Sequence, residues 1–331
     1  MVRAVTRVKQ VDYQAVAAKA EKIVRQVAVA LEGKDDVIRE ALICMFAGGH
    51  LLIEDVPGVG KTMLAKALAR STSCVSSRIQ FTPDLLPSDI VGVSIYEQAS
   101  RQFSFRPGPI FANLVLGDEI NRASPKTQSA LLEAMEEHQV TVDQHTYPID
   151  EPFMVIATQN PLEHEGVFPL PQSQIDRFAM RILVGYPSHE AEVEILDTHG
   201  TTSALEDVEP VVTAKELVAL IRVTRNVHVA DEIKNYIVEV CDATRNHPSV
   251  QQGASPRASL FLLRTARAKA AIDGRDFVVP DDVKALVPLV LAHRLVLSPD
   301  AELEGAGGED VLGKVLSRIA VPAGGSRSRR S

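Results

Sequence analysis

HLLIEDVPGVGKT, residues His50 to Thr62, runs from an apolar segment into a glycine-rich turn that ends in Lys-Thr. A turn of this kind is built to hold phosphates. Gly58 and Gly60 leave backbone N–H groups bare enough to approach phosphate oxygens, and the helix that follows aims its positive end at the same point. Within the loop, Val56, Pro57, Gly58, Val59 and Gly60 supply backbone, Lys61 reaches the β- and γ-phosphates, and Thr62 holds a magnesium ion. The strict pattern G-x-x-x-x-G-K-[ST] asks for glycine at position 55, where this chain has Asp55. The apolar spacing of Met63, Leu64, Ala67 and Leu68 supplies the required helix after the loop.

Around this loop, 331 residues with 45% hydrophobic content support one large or two medium folded units. No run reaches the roughly 18 apolar residues of a membrane helix, and MVRAVTRVKQVDYQ lacks the apolar core of a signal peptide, so a cytoplasmic protein without membrane insertion is expected. Cys44, Cys74 and Cys241 lie far apart and read as reduced, structural thiols. With 35 Lys+Arg against 43 Asp+Glu, the net charge of −8 disfavours nucleic acid at long range. The compact basic segment GGSRSRRS, with Arg327, Arg329 and Arg330, reads as a solvated tail.

Helical spacing fills Tyr13 to Ala47, broken at Glu32-Gly33-Lys34-Asp35, which predicts two helices before the first strand. Beyond the loop helix come a strand at Ile79 to Phe81 and a hairpin of Val91 to Tyr96 with Gln102 to Phe105. An apolar strand, Asn113 to Gly117, then ends in Asp118-Glu119. Ser124-Pro125 opens a helix to Glu137, with Ser as N-cap and Pro at the first helical position. A second hairpin joins Val140–Val142 to His145–Tyr147, and strands at Phe153 to Ala157 and Ala179 to Val184 complete this half. Strands alternating with helices imply a parallel sheet covered on both faces. After Pro187 no strand pattern is convincing, and helices are expected near Glu190–Thr198, Ala214–Val223, Asp231–Thr244, Ser255–Ile272, Pro280–Leu297 and Glu309–Ile319, with Ser298 to Gly308 a loop. The expected division is residues 1–187 as an α/β nucleotide-binding core with two hairpin inserts, 188–321 as an all-helical domain, and 322–331 as the tail.

The acids at the end of the third apolar segment suit a magnesium-dependent nucleoside triphosphatase. Asp118 would hold the metal through water and Glu119 would polarise the attacking water. Asn160, ending the next strand, offers a neutral amide to the γ-phosphate and that water. Arg177, in Gln174-Ile175-Asp176-Arg177-Phe178, and Arg257, in Ser255-Pro256-Arg257, are the remaining candidates, because a guanidinium meeting a γ-phosphate raises turnover by roughly 10³ to 10⁵. The histidines, His145 and His164 among them, are not at metal-ligand spacing, and no serine sits in a G-x-S-x-G elbow.

Taken in order, PGVGKT, LVLGDEINRA, ATQNP, PLPQSQIDRF and SPRA resemble the MoxR family of AAA+ ATPases over about Leu31 to Val296. The resemblance implies an αβα core with a five-stranded sheet and a helical lid, with ATP between them. It implies Lys61 and Thr62 for phosphate and Mg²⁺, Asp118 for Mg²⁺, Glu119 as catalytic base and Asn160 as first sensor. It also implies Arg177 as the finger donated to the neighbouring subunit's ATP and Arg257 as the lid sensor. The hairpins match inserts that in relatives line a ring's pore or face its partner. By the same resemblance the catalytic unit is a homo-oligomeric ring, a hexamer, acting as a chaperone-like remodeller with von Willebrand factor A domain partners.

Three other readings share the ATP machinery. A DNA-linked AAA+ motor has the same loop and inserts, but net acidity and the lack of helix-turn-helix, zinc or aromatic-basic features argue against it; an enhancer-type activator would need GAFTGA, which is absent. A nucleotide-gated scaffold with negligible turnover is the third, and Glu119 speaks against it.

Overall fold

The computed structural model describes residues 12–56, 58–160, 166–190, 192–193 and 204–322. Pro57, Pro161, His164, most of the helix expected near Glu190 to Thr198 and the arginine-bearing tail lie outside the described residues.

Two helices lead in, α1 (Tyr13–Ala30) and α2 (Asp35–Phe46). Asp12 caps α1 by accepting from the backbone of Gln14 and Ala15, which satisfies two otherwise orphaned donors. β1 (Leu51–Glu54) then feeds the glycine loop and α3 (Lys61–Ser71). With β2 (Ser76–Gln80), β5 (Leu114–Asp118), β8 (Met154–Gln159) and β9 (Met180–Ile182) it forms a five-stranded sheet in the order β2-β5-β8-β1-β9. Every pairing in it is parallel. The strand positions agree with the sequence to within a few residues.

Successive residues of these strands divide between two apolar layers, as a period of two requires. Leu51, Ile53, Leu114, Leu116, Met154 and Ile156 join α1, α2 and α3 on one face. Leu52, Val115, Val155 and Ala157 join Leu131, Leu132 and Met135 of α5 (Pro125–Glu137) on the other. Continuous burial on both faces is why these segments read as unbroken apolar runs.

Both hairpins are present. After the short helix α4 (Pro87–Val91), β3 (Gly92–Glu97) pairs with β4 (Gln102–Pro107), and β6 (Gln139–Val142) pairs with β7 (His145–Pro148). Phe105 stacks on Tyr147 at 3.9 Å between ring centroids, which ties one hairpin to the other. Phe103, 74% exposed, projects from the first.

Following α6 (Gln172–Ile175), the second half contains α7 (Ala214–Thr224), α8 (Asp231–Arg245), α9 (Pro256–Ile272), α10 (Pro280–Leu291), α11 (Pro299–Leu303) and α12 (Gly308–Arg318). Here the structure corrects three expectations. The helix from Pro280 stops at Leu291, passes through a 3-10 turn at Ala292–Arg294 and becomes β11 (Val296–Leu297). That strand pairs antiparallel with β10 (Val250–Gln252), so this half is not purely helical. Two or three residues are too few to carry a visible alternation. The expected loop after Ser298 contains α11, started by Ser298 accepting from the backbone of Ala301 and by Pro299 in the first turn.

Apolar residues of α7 to α10 and α12 belong to the same layer as α1, α2 and α3, so lid and core share one continuous interior. A buried ion pair crosses it as well. The Arg294 side chain, 1% exposed, donates to Asp176 Oδ1 at 2.9 Å and to the carbonyls of Phe178 and Val290. Burial lowers its pKa to about 10, which leaves it charged at neutral pH. Cys44 and Cys241 are buried and Cys74 half-buried, all three free thiols. Among the described residues no helix is long and apolar enough to cross a membrane.

Candidate active site

In a parallel sheet all strands end at one edge, and ligands collect there. The glycine loop follows β1, Asp118 and Glu119 end β5, and Asn160 follows β8. One cavity of about 520 Å³ gathers Gly58, Gly60, Lys61, Thr62, Asp118, Glu119 and Asn160. Met63, Lys66, Arg78, Gln80 and Leu205 complete its wall.

Gly58 and Gly60 take φ of +88° and +97°, backbone that side-chain-bearing residues rarely adopt. A Cβ at Gly60 would lie 2.6 Å from Leu31 Cδ1, while Gly58 faces open space where a ligand can approach. Lys61 Nζ folds back to donate to the Asp55 carbonyl at 2.7 Å. Val59 is buried in the apolar layer and Val56 packs against it, so both side chains anchor the loop. Glycine is not required at position 55, because Asp55 is not at positive φ. Its carboxylate instead accepts from Val56 N at 2.7 Å and from Gly185 N at 2.6 Å, pinning the loop to the segment after β9.

The two acids are held by neighbours that sequence reasoning missed. Thr158, fully buried on β8, donates through Oγ1 to Asp118 Oδ1 at 2.7 Å and accepts from Glu119 N at 2.9 Å. Arg78 on the edge strand β2 pairs with Asp118 Oδ2 at 2.6 Å. Two residues along the same strand face, Gln80 donates to Glu119 Oε2 at 3.0 Å, and Arg122 joins that oxygen at 3.1 Å. Glu119 has φ +58° and ψ +50°, left-handed backbone that costs a non-glycine residue about 1–2 kcal/mol. Such outliers persist where the surroundings over-determine them.

Arg177 and Arg257 are not brought to this cavity. Arg177 precedes β9 and therefore lies at the opposite edge of the parallel sheet from the residues that follow β1, β5 and β8. Arg257 stands beside it, not over the phosphate loop of its own chain, because Ser255 donates to Asp176 at 3.1 Å and brings the start of α9 there. Both arginines pair with Glu136 at the end of α5 and line a separate cavity of about 300 Å³ with Gly48, Gly49 and His50. His50 directly precedes β1, and the loop directly follows it. One chain thus carries phosphate-binding groups at one edge of its sheet and two arginines at the other.

A glycine-lined loop at a helix N-terminus, with Thr62, paired acids and an amide at the ends of adjacent parallel strands, fits a magnesium nucleoside triphosphate, and these features define an AAA+ P-loop ATPase. Comparison with known proteins agrees. Residues 50–180 match the family described as ATPase family associated with various cellular activities (AAA), and residues 242–315 match the AAA lid domain. YeaC of Bacillus subtilis, itself uncharacterised, is 50% identical over 91% of this chain and 94% of its own length. Chaperone MoxR1 of Mycobacterium tuberculosis is 43% identical over 91% of this chain and 82% of its own. A crystal structure from Cytophaga hutchinsonii, assigned provisionally as an ATPase, superposes with a TM-score of 0.88 at 37% identity, covering 94% of this chain and 97% of that one. The chain belongs to the MoxR family of AAA+ ATPases.

Proposed function

We propose that this chain hydrolyses ATP with Mg²⁺ as a closed homo-oligomeric ring, a hexamer, and uses the cycle to remodel or activate a partner protein in the cytoplasm. The observation that carries this reading is the separation of Arg177 and Arg257 from Asp118 and Glu119 at opposite edges of one sheet. Within one subunit Arg78 and Arg122 are engaged with the two acids themselves, so the guanidinium for the γ-phosphate comes from a neighbour.

In this scheme the backbone of Gly58 and Gly60 and the Lys61 ammonium bind the phosphates, and Thr62 and Asp118 hold the metal. Magnesium, when bound, neutralises charge on the phosphate oxygens. Glu119, oriented by Gln80 and Arg122, takes the proton of the attacking water. Asn160 orients that water without adding charge. The neighbour's Arg177, with Arg257 beside it, stabilises charge on the γ-phosphoryl group as it passes from ADP to water. Chaperone naming of a 43% identical relative supports protein remodelling as the output. Von Willebrand factor A domain proteins are the partners we propose, with the exposed hairpin around Phe103 as the contacting insert.

Complementation tests the shared site. Arg177→Ala and Glu119→Gln subunits should each be inactive alone, with the Glu119→Gln protein retaining ATP in assembled rings. Mixed together they should recover part of the wild-type rate, since an intact phosphate site then meets an intact arginine. No recovery in mixtures shown to co-assemble would overturn the scheme.

A further inference from the structure

Glu136 occupies the last turn of α5, where the helix dipole disfavours an anion. Two guanidiniums compensate it, one on each carboxylate oxygen. Arg177 Nη2 lies 3.0 Å from Oε2, and Arg257 Nη2 pairs with Oε1. Arg177 also donates through Nη1 to the Leu132 carbonyl at 2.6 Å, and its Nε is buried without a partner. The three side chains are between 29% and 38% exposed, so the cluster faces outward at the edge of its cavity. A single anion bridging a core arginine and a lid arginine is the arrangement that a terminal phosphate would also make.

We infer that Glu136 is an internal stand-in for the neighbouring subunit's γ-phosphate: a positioning residue that holds Arg177 and Arg257 together and yields them when a triphosphate arrives across the interface. The inference rests on the ring reading above and adds a regulatory term to it. Without the competing carboxylate, both arginines would engage a neighbour's phosphate at lower cost. With it, a subunit edge carries a compensated charge cluster, and only a group that outbids a carboxylate draws the arginines across. A triphosphate does so and a diphosphate, lacking the terminal group, does not. Triphosphate-dependent assembly thereby acquires a threshold set by one residue.

Sedimentation velocity of the full chain over a range of subunit concentrations, with ATPγS, with ADP and without nucleotide, tests this. Glu136→Gln keeps the shape and removes the charge, and Glu136→Ala checks that the result does not depend on the new amide. With ATPγS, both variants should assemble at a subunit concentration roughly three- to tenfold lower than wild type, the range expected for releasing one or two partly exposed ion pairs. With ADP or no nucleotide the midpoints should match wild type, a distinction that a merely structural role would not produce. An unchanged or higher midpoint with ATPγS, or an equal gain in all nucleotide states, overturns the role of Glu136. Arg177→Ala run in parallel separates the two levels of argument. If it assembles with ATPγS and hydrolyses ATP as wild type does, the shared-site reading itself fails; if it assembles as wild type does but is inactive, only the part given to Glu136 and the arginines in assembly is overturned.

Discussion

Thr158→Val removes one hydroxyl and leaves the side chain nearly the same shape, which makes it a sharp probe of how the acids are held. The Oγ1 atom makes two bonds inside a fully buried environment, donating to the Asp118 carboxylate at 2.7 Å and accepting from the Glu119 backbone at 2.9 Å. Loss of the bond to the carboxylate costs about 1.5–3 kcal/mol, and the stranded N–H adds about 1–3 kcal/mol. The sum, about 2.5–6 kcal/mol, corresponds to a melting temperature lower by roughly 10 °C. The Glu119 N–H is also one of the restraints on a left-handed residue, so its release lets the catalytic carboxylate leave its position. Support of this kind around a metal-binding group typically sets roughly 10- to 100-fold in activity. Differential scanning calorimetry and a phosphate-release assay measure the two effects, and Thr158→Ser should restore both. A Val variant that melts and hydrolyses ATP as wild type does, or a Ser variant no better than Val, refutes the reasoning.

Gly60→Ala should destabilise the loop by about 1–2 kcal/mol from left-handed strain alone and push against Leu31 as well. Weaker binding of a fluorescent ATP analogue would report it, and unchanged affinity with unchanged stability would contradict the glycine requirement. A pH experiment isolates two groups of opposite sign, buried His50 and half-buried Glu40. Burial lowers the His50 pKa to about 4, with Val155 N donating to Nδ1 and Nε2 donating to the Met135 carbonyl. Its stabilising contribution, about 3 kcal/mol, is present above about 6.5 and lost as pH falls through about 4. Burial, reinforced by Asp36, raises Glu40 to about 7, so its contribution is present below about 4.5 and lost as pH rises through about 7. The two offset each other across the acidic range. Glu40→Gln should therefore raise stability above pH 7 and unmask a steeper loss of melting temperature between pH 6.5 and 4. Parallel wild-type and mutant pH profiles would exclude this balance.

The site was legible where chemistry follows directly from a strand end. Asp118, Glu119 and Asn160 follow apolar runs at the carboxyl edge of the sheet, Lys61 and Thr62 open the helix after the glycine loop, and one cavity holds all five. Asp55 looked like a departure from pattern and proves to be a clasp on Gly185, a partner 130 residues away that no local pattern announces. Arg78 and Gln80 could have been read from their alternation in Ser76-Ser77-Arg78-Ile79-Gln80, but only once β2 was known to lie beside β5. Thr158 sits in an apolar run where its hydroxyl resembles any β-branched strand residue. The position of Arg257 depended on the Ser255–Asp176 contact between lid and core, which is tertiary. β10 and β11 were missed because they are brief and their pairing joins segments more than 40 residues apart in the chain.

The Asp176–Arg294 pair has a consequence for anyone who would rebuild this protein from parts. Grafting a foreign lid onto this core would strand Asp176, and supplying this lid to another core would leave a buried guanidinium without its carboxylate, a defect of about 3–5 kcal/mol. The pair sits next in sequence to Arg177 and shares Asp176 with the start of α9, so a poorly matched chimaera would also mis-aim both outward-facing arginines. Interchangeable pieces are available only if this buried couple is carried along as a unit.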